Sequence, residues 1–160
     1  MKTLYVMVGL PGSGKSTYAS RMRWNEANYV GYISRDTIRA QLLEDGDPYF
    51  SREEEVFDMF CDSIVTWMDK TDIIADATHL SHGSRAKLIN ALAYRGLTTD
   101  KYQIVFLVMN TPIETCIKRD ANRIGTAHVT EPVIRRMGHA LKIPTIDEFP
   151  NVKEVRIIDE

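Results

Sequence analysis

Short apolar runs alternate along the chain with longer segments whose apolar residues recur every three or four positions. Residues 4–8, 29–33, 73–75, 104–108 and 155–158 are brief and rich in β-branched or other apolar side chains. Near-continuous runs of this kind suit strands buried on both faces of a parallel sheet. Between them Val56, Phe60, Ile64 and Trp67/Met68 keep helical spacing, as do Ala86, Ile89/Asn90 and Ala93, and later Ile134, Met137 and Leu141. Strand, helix, strand in repetition predicts right-handed βαβ units, hence an α/β fold whose five-stranded parallel sheet is flanked by helices. Ligands of such a sheet bind beyond the C-terminal strand ends.

At 160 residues the chain has the size of one domain, expected to span 1–160. Hydrophobic residues make up 44% and charged residues 26%, which excludes the disordered and fibrous classes. A net charge of -2 argues against bulk-charge binding of nucleic acid or membrane, so any polyanion must be met locally. Cys61 and Cys116 fall in helical segments and form neither a disulfide framework nor a CxxC clip, as expected of a reduced, cytoplasmic protein. The apolar runs fall far short of the roughly 20 residues that span a bilayer, so no membrane helix is expected.

After the first strand comes Gly9-Leu10-Pro11-Gly12-Ser13-Gly14-Lys15-Ser16-Thr17, a full GxxxxGK[ST] match that enters a helical pattern. Glycines let successive backbone N–H groups converge on phosphate oxygens, and the helix N-terminus adds about half a positive charge. Lys15 would reach the β- and γ-phosphates of ATP, and the Ser16 hydroxyl would ligate Mg²⁺. The third strand ends in Asp76, followed by Ala77 and Thr78. Hydrolytic P-loop motors commonly place a water-activating Glu where Ala77 stands, so this pattern favours phosphotransfer. Asp76 could equally cap the following turn.

The second strand runs into Ser34-Arg35-Asp36-Thr37-Ile38-Arg39, whose spacing of three puts Asp36 and Arg39 on one helix face. An N-cap with a solvated arginine would give the same pattern. As a site, the pair fits an alcohol acceptor: a hydroxyl with pKa near about 15.7 needs a carboxylate to take its proton, the role of Asp36. The Arg39 guanidinium can grip a phosphate on that acceptor bidentately. Further on, Arg119 and Arg123 are expected to share a helix face in a short lid at about 117–131, either stabilising transferring phosphate or forming a solvated basic helix end.

Charge is uneven: residues 44–62 hold eight acids against Arg52, most simply a solvated helix start with Glu53, Glu54 and Glu55 favoured by the dipole. His79 and His82 lie three apart, but no acid, Cys or further His completes a metal set around them.

Taken together, Gly9 to Thr17, Ser34-Arg35-Asp36-Thr37-Ile38-Arg39, Asp76-Ala77-Thr78 and Lys118-Arg119 with Arg123 resemble the kinase domain of bacteriophage-type 5′-OH polynucleotide kinases. The resemblance implies an adenylate-kinase-like P-loop fold that moves the ATP γ-phosphate to a 5′-OH end of DNA or RNA. By position, Lys15 and Ser16 bind ATP and Mg²⁺, Asp36 is general base, and Arg39 holds the acceptor's 3′-phosphate. Asp76 supports the acceptor side and Arg123 is the lid arginine. Asp76-Ala77-Thr78 stands where the phage pattern has Asp-Thr-Asn, and no DxDGT phosphatase motif is present, so 3′-end healing is not expected. A small-molecule or nucleoside monophosphate kinase can also place Asp-x-x-Arg after the second strand.

Overall fold

The structure is a computed structural model that describes residues 1–25, 29–124 and 128–159. Five strands, β1 (Lys2–Val8), β2 (Val30–Ser34), β3 (Asp72–Asp76), β4 (Tyr102–Met109) and β5 (Val152–Ile158), form one sheet in the order β2-β3-β1-β4-β5. Every pairing is parallel. The helices are α1 (Lys15–Asn25), α2 (Arg35–Leu42), α3 (Glu53–Met68), α4 (His82–Tyr94), α5 (Ile113–Ala121) and α6 (Glu131–Ala140). From β1 the chain moves outward to β2, returns through β3, and crosses to β4 and β5 on the other side. Strand order therefore reverses at β1, and a crevice opens beyond its C-terminal end.

The period of two explains the layers. Leu4, Val6 and Val8 face one side of the sheet and join Val56, Phe60 and Ile64 of α3 and Leu88 and Leu92 of α4 in the main core. Met7 faces the other side and packs with Ala19 and Met22 of α1. A smaller cluster of Leu10, Cys116, Val129 and Ile134 seats the loop after β1 on α5 and α6. Cys61 and Cys116 are both buried, helical and outside any disulfide.

Three expectations are corrected. The buried face of α4 is Arg85, Leu88, Ile89 and Leu92, so that of the expected Ala86, Ile89/Asn90 and Ala93 only Ile89 lies on it. Arg85, 1% exposed, is accommodated because Glu148 accepts from its Nε and Nη2 at 2.8 and 2.9 Å. Next, β5 begins at Val152, three residues earlier than its apolar run, and is mostly half-buried because it is an edge strand paired only with β4. Finally, α5 stops at Ala121, so Arg123 lies beyond the helix and shares no helical face with Arg119. Asp120 draws the chain away there, accepting from the backbone N–H groups of Val129 and Thr130 at 2.8 Å each. Of the expected lid, residues 125–127 lie outside the described residues.

Candidate active site

Residues 9–14 leave the end of β1 and curl into α1. Gly12 and Gly14 sit at φ +81° and +94°, a region that L side chains rarely adopt. At Gly12 the packing is equally restrictive, since a Cβ there would lie 2.6 Å from the Cys116 carbonyl oxygen of α5. Gly9 N–H donates to Thr78 O at 3.0 Å, tying the loop to the chain just past β3. Lys15 folds over the loop and donates from Nζ to Gly9 O and Leu10 O at 3.1 and 2.8 Å. Burial pulls its ammonium pKa down, with the Asp76 and Asp36 carboxylates opposing. The Ser13 hydroxyl is buried without a hydrogen-bond partner among the described residues, an unspent donor inside the cradle.

A cleft of about 490 Å³ opens over this loop, lined by Gly12, Gly14, Lys15, Ser16, Thr17, Asp76, Arg119 and Arg123 among others. Arg119 braces the cradle by donating from Nη1 to Gly12 O at 3.2 Å. Asp76 is 6% exposed and accepts a hydrogen bond from Tyr32 Oη. Its pKa is raised by burial, against which Lys15 and the Tyr32 hydroxyl act. The Ser16 hydroxyl and the Asp76 carboxylate in one cleft are hard oxygen donors of the kind Mg²⁺ takes beside phosphate and water, and a divalent cation would favour the ionised form of a carboxylate that burial disfavours. The donor set fits the metal.

A second cleft of about 220 Å³ adjoins it, lined by Pro11, Arg35, Asp36, Arg39, Tyr49, Phe50, Glu53, Ala77, Thr78 and Met137. Lys15 and Asp36 line both. The helix start that presents Asp36 is capped by Ser34, whose hydroxyl accepts from Thr37 N–H at 3.3 Å. The N-cap is therefore Ser34, which leaves Asp36 unspent on capping. Arg39 is 6% exposed and not a solvated arginine. Its Nε and Nη2 donate to Glu53 Oε1 and Oε2 at 2.7 and 2.9 Å, and its Nη1 donates to Asp36 Oδ1 at 2.6 Å and Tyr49 Oη at 2.9 Å. These contacts use four of the five guanidinium N–H groups. Tyr49 Oη donates in turn to Asp36 Oδ1 at 2.6 Å. The Arg39 and Tyr49 contacts to Asp36 both fall on Oδ1. Arg35 adds Nη2 to Glu53 Oε2 at 2.9 Å, and its Nε is buried without a hydrogen-bond partner among the described residues.

The sequence-predicted residues thus divide between two walls. Lys15, Ser16, Thr17, Asp76, Arg119 and Arg123 line the larger cleft, and Arg35, Asp36, Arg39 and Thr78 the smaller. Asp76 stands with the P-loop residues, whereas Thr78 stands with Asp36. Leu10 is buried in the cluster beneath the loop. Glu53 corrects its expected role: it is no solvated helix start but a half-buried carboxylate shared by two arginines. Tyr32, Tyr49 and Phe50 carried no sequence signal, because nothing in their spacing links them to the motifs. The one available hint was charge, since two arginines one turn apart on a buried helix face require an acid nearby. His79 is no metal ligand: it is 5% exposed, its Nδ1 lies 2.7 Å from Met7 O, and burial pushes its pKa down to about 3. His82 faces Glu148 at 3.4 Å instead.

A P-loop cradle and a second cleft that share a lysine and an aspartate, on a five-stranded parallel sheet, define the P-loop kinase fold. The chain belongs to the AAA-domain family, whose profile matches residues 4–144. It is 40% identical to an adenylate kinase of Campylobacter fetus subsp. fetus over 42 residues, 26% of this chain and 22% of that protein. A chain of the Pnkp1/Rnl/Hen1 RNA repair complex is similar in structure, with TM-score 0.69 and 28% identity over 88% of this chain and 44% of that one. A sugar kinase from Janibacter sp. HTCC2649 shares the fold at TM-score 0.64 and 18% identity, over 99% of this chain and 85% of that one. The chain therefore spans less than half of the matched repair-complex chain and less than a quarter of the adenylate kinase. Among the described residues no helix is long and apolar enough to cross a membrane.

Proposed function

We propose that the chain transfers the γ-phosphate of ATP to the 5′-hydroxyl end of DNA or RNA. The observation that carries this reading is the junction: Lys15 and Asp36 line both clefts, so a phosphoryl group held by the P-loop meets a carboxylate at the mouth of the acceptor side. The acceptor hydroxyl oxygen bonds to the γ-phosphorus as the bond to the β-phosphate oxygen breaks. The Asp36 carboxylate takes the hydroxyl proton, and ADP leaves. Lys15, Arg119 and Arg123 bear on the charge that spreads over the transferring oxygens. Ser16, with Asp76 beside it, would hold Mg²⁺, which when bound would supply charge neutralisation for the phosphates.

Arg39, with four of its donors spent, keeps Asp36 in place. One N–H and the neighbouring Arg35 remain for the acceptor's 3′-phosphate. A nucleic acid end is preferred to other alcohols because the 28% identity to the RNA repair complex spans most of this chain and the acceptor cleft combines arginine with aromatic rings. A second reading, a small sugar or sugar-acid kinase, draws on the same Arg39 contacts: a guanidinium already gripped by Glu53 suits an acceptor that carries a hydroxyl and no phosphate.

Labelled ATP offered with a 3′-phosphorylated 5′-OH oligonucleotide, gluconate and AMP separates the readings. Product is expected on the oligonucleotide, and Asp36→Asn should lower its kcat by roughly 10² to 10⁴ while moving the acceptor KM far less. Transfer to gluconate alone selects the sugar reading. Transfer to AMP alone, with Asp36→Asn acting on KM, removes the general base.

A further inference from the structure

Three of the chain's phenylalanines, Phe57, Phe60 and Phe106, are 9%, 1% and 1% exposed, yet Phe50 is 43% exposed. Its ring is not spent on the core; it lines the acceptor cleft beside Asp36 and Arg39. The segment that carries it is tied down. Asp47 N–H donates to Glu44 O at 3.0 Å, Ser51 N–H and Oγ donate to Pro48 O at 3.1 and 2.8 Å, and Arg52 Nη1 reaches back to Leu42 O at 2.8 Å. Phe50 meets Tyr49 edge to face with centroids 4.6 Å apart, and the Tyr49 hydroxyl is the group bonded to Asp36 Oδ1. The Arg39 guanidinium lies 4.4 Å from the Tyr49 centroid and 5.6 Å from that of Phe50. An exposed aromatic face is thus held in fixed register with the carboxylate that takes the acceptor's proton.

We infer that Phe50 is the stacking platform for the 5′-terminal nucleobase of the acceptor, with Met137 as the apolar surface lining the same cleft. This rests on the nucleic-acid reading above. A ring held in place before binding loses little entropy when a flat base settles on it, and stacking is sequence-tolerant because every base presents a π-face. The polar groups of the cleft are engaged with the hydroxyl, the phosphate and each other, so the platform selects for the presence of a base and not for its identity. The terminal nucleoside is thereby positioned with its 5′-hydroxyl at Asp36.

The test compares two 5′-OH oligonucleotides, one with an ordinary 5′ nucleotide and one whose 5′ residue is an abasic tetrahydrofuran. Wild type should use all four 5′ bases alike and prefer them over the abasic end through KM. Phe50→Ala should raise KM for the base-bearing acceptor by roughly tenfold, change kcat far less, and erase the preference, while Phe50→Trp restores it. Should Phe50→Ala not fold, Phe50→Leu keeps the apolar volume without the π-face and should still erase most of the preference. An unchanged base-to-abasic ratio in a folded variant overturns the inference, as does an equal loss of kcat on both acceptors, which would make Phe50 a mere support for Tyr49. Failure of wild type to phosphorylate either oligonucleotide overturns the nucleic-acid reading and this inference together.

Discussion

The two clefts that meet at Lys15 and Asp36 are built from different materials. The donor side is chiefly backbone: residues 9–17 are contiguous, two glycines hold positive φ, and Lys15 and Arg119 rest on loop carbonyls. The acceptor side is chiefly side chains, with Asp36, Arg39, Tyr49 and Glu53 drawn from α2, the following connection and α3 and joined by mutual hydrogen bonds. A backbone cradle reads the same feature in every donor, a polyphosphate. A side-chain wall can change what it receives by exchanging a few residues.

The contrast would break most visibly at the donor side. Lys15→Ala leaves the loop backbone intact but removes the cation over the phosphates, so transfer to any acceptor should fall by at least roughly 10³-fold in a protein that still folds. Circular dichroism with a turnover assay checks this. Wild-type rates from folded Lys15→Ala would deny the loop its role.

A smaller effect is expected at the acceptor wall from Glu53→Gln, which keeps size and one accepting oxygen but unbalances Arg39. The guanidinium then loses one of its two anchors at position 53, and Asp36, the proposed general base, loses its fixed position. The expected result is a kcat lower by roughly 10- to 100-fold with the ATP KM unmoved. A fall in KM for a 3′-phosphorylated acceptor would show instead that Glu53 keeps the Arg39 fork closed against phosphate.

What the sequence revealed follows the same division. Lys15, Ser16 and the cradle were legible because a backbone site constrains neighbouring residues. Asp36 and Arg39 were legible as a pair because one helical turn relates them. Glu53 was not: it lies 14 residues from Arg39, and at the head of an acidic run it has the appearance of a dipole-favoured helix start. The five strands emerged from their apolar runs, but β5 was clipped because Lys153 and Glu154 on a sheet edge look like loop. The helical face of Arg119 and Arg123 failed for a tertiary reason, the capture of two backbone N–H groups by Asp120. The buried face of α4 was read only at Ile89; Arg85 was not counted because it is charged, and it is core only by virtue of a partner 63 positions away.

That distant partner gives the gentlest test of the side-chain wall. Arg85 Nη1 donates to His79 O at 2.8 Å, next to Thr78 of the acceptor cleft, while its other nitrogens are held by Glu148. Burial opposes ionisation of Glu148, but the hydrogen bonds and charge of Arg85 outweigh it and hold its pKa below the ordinary carboxylate value. A depressed folded-state pKa contributes stability that is present above the unfolded value, about 4.5, and is lost as pH falls through the folded value. Glu148→Gln should remove that contribution, lowering Tm at neutral pH and flattening its decline below about pH 4.5. At neutral pH the variant that remains folded should show an acceptor KM raised by a few-fold and an ATP KM moved less, because the pair supports the Thr78 side directly and reaches the cradle only through the Gly9 N–H to Thr78 O bond. Thermal melts across pH 3 to 7 and steady-state kinetics at pH 7 measure both. If the ATP KM moves as much as the acceptor KM, the two walls are mechanically one, and the division between a backbone-built donor side and a side-chain-built acceptor side fails at this point.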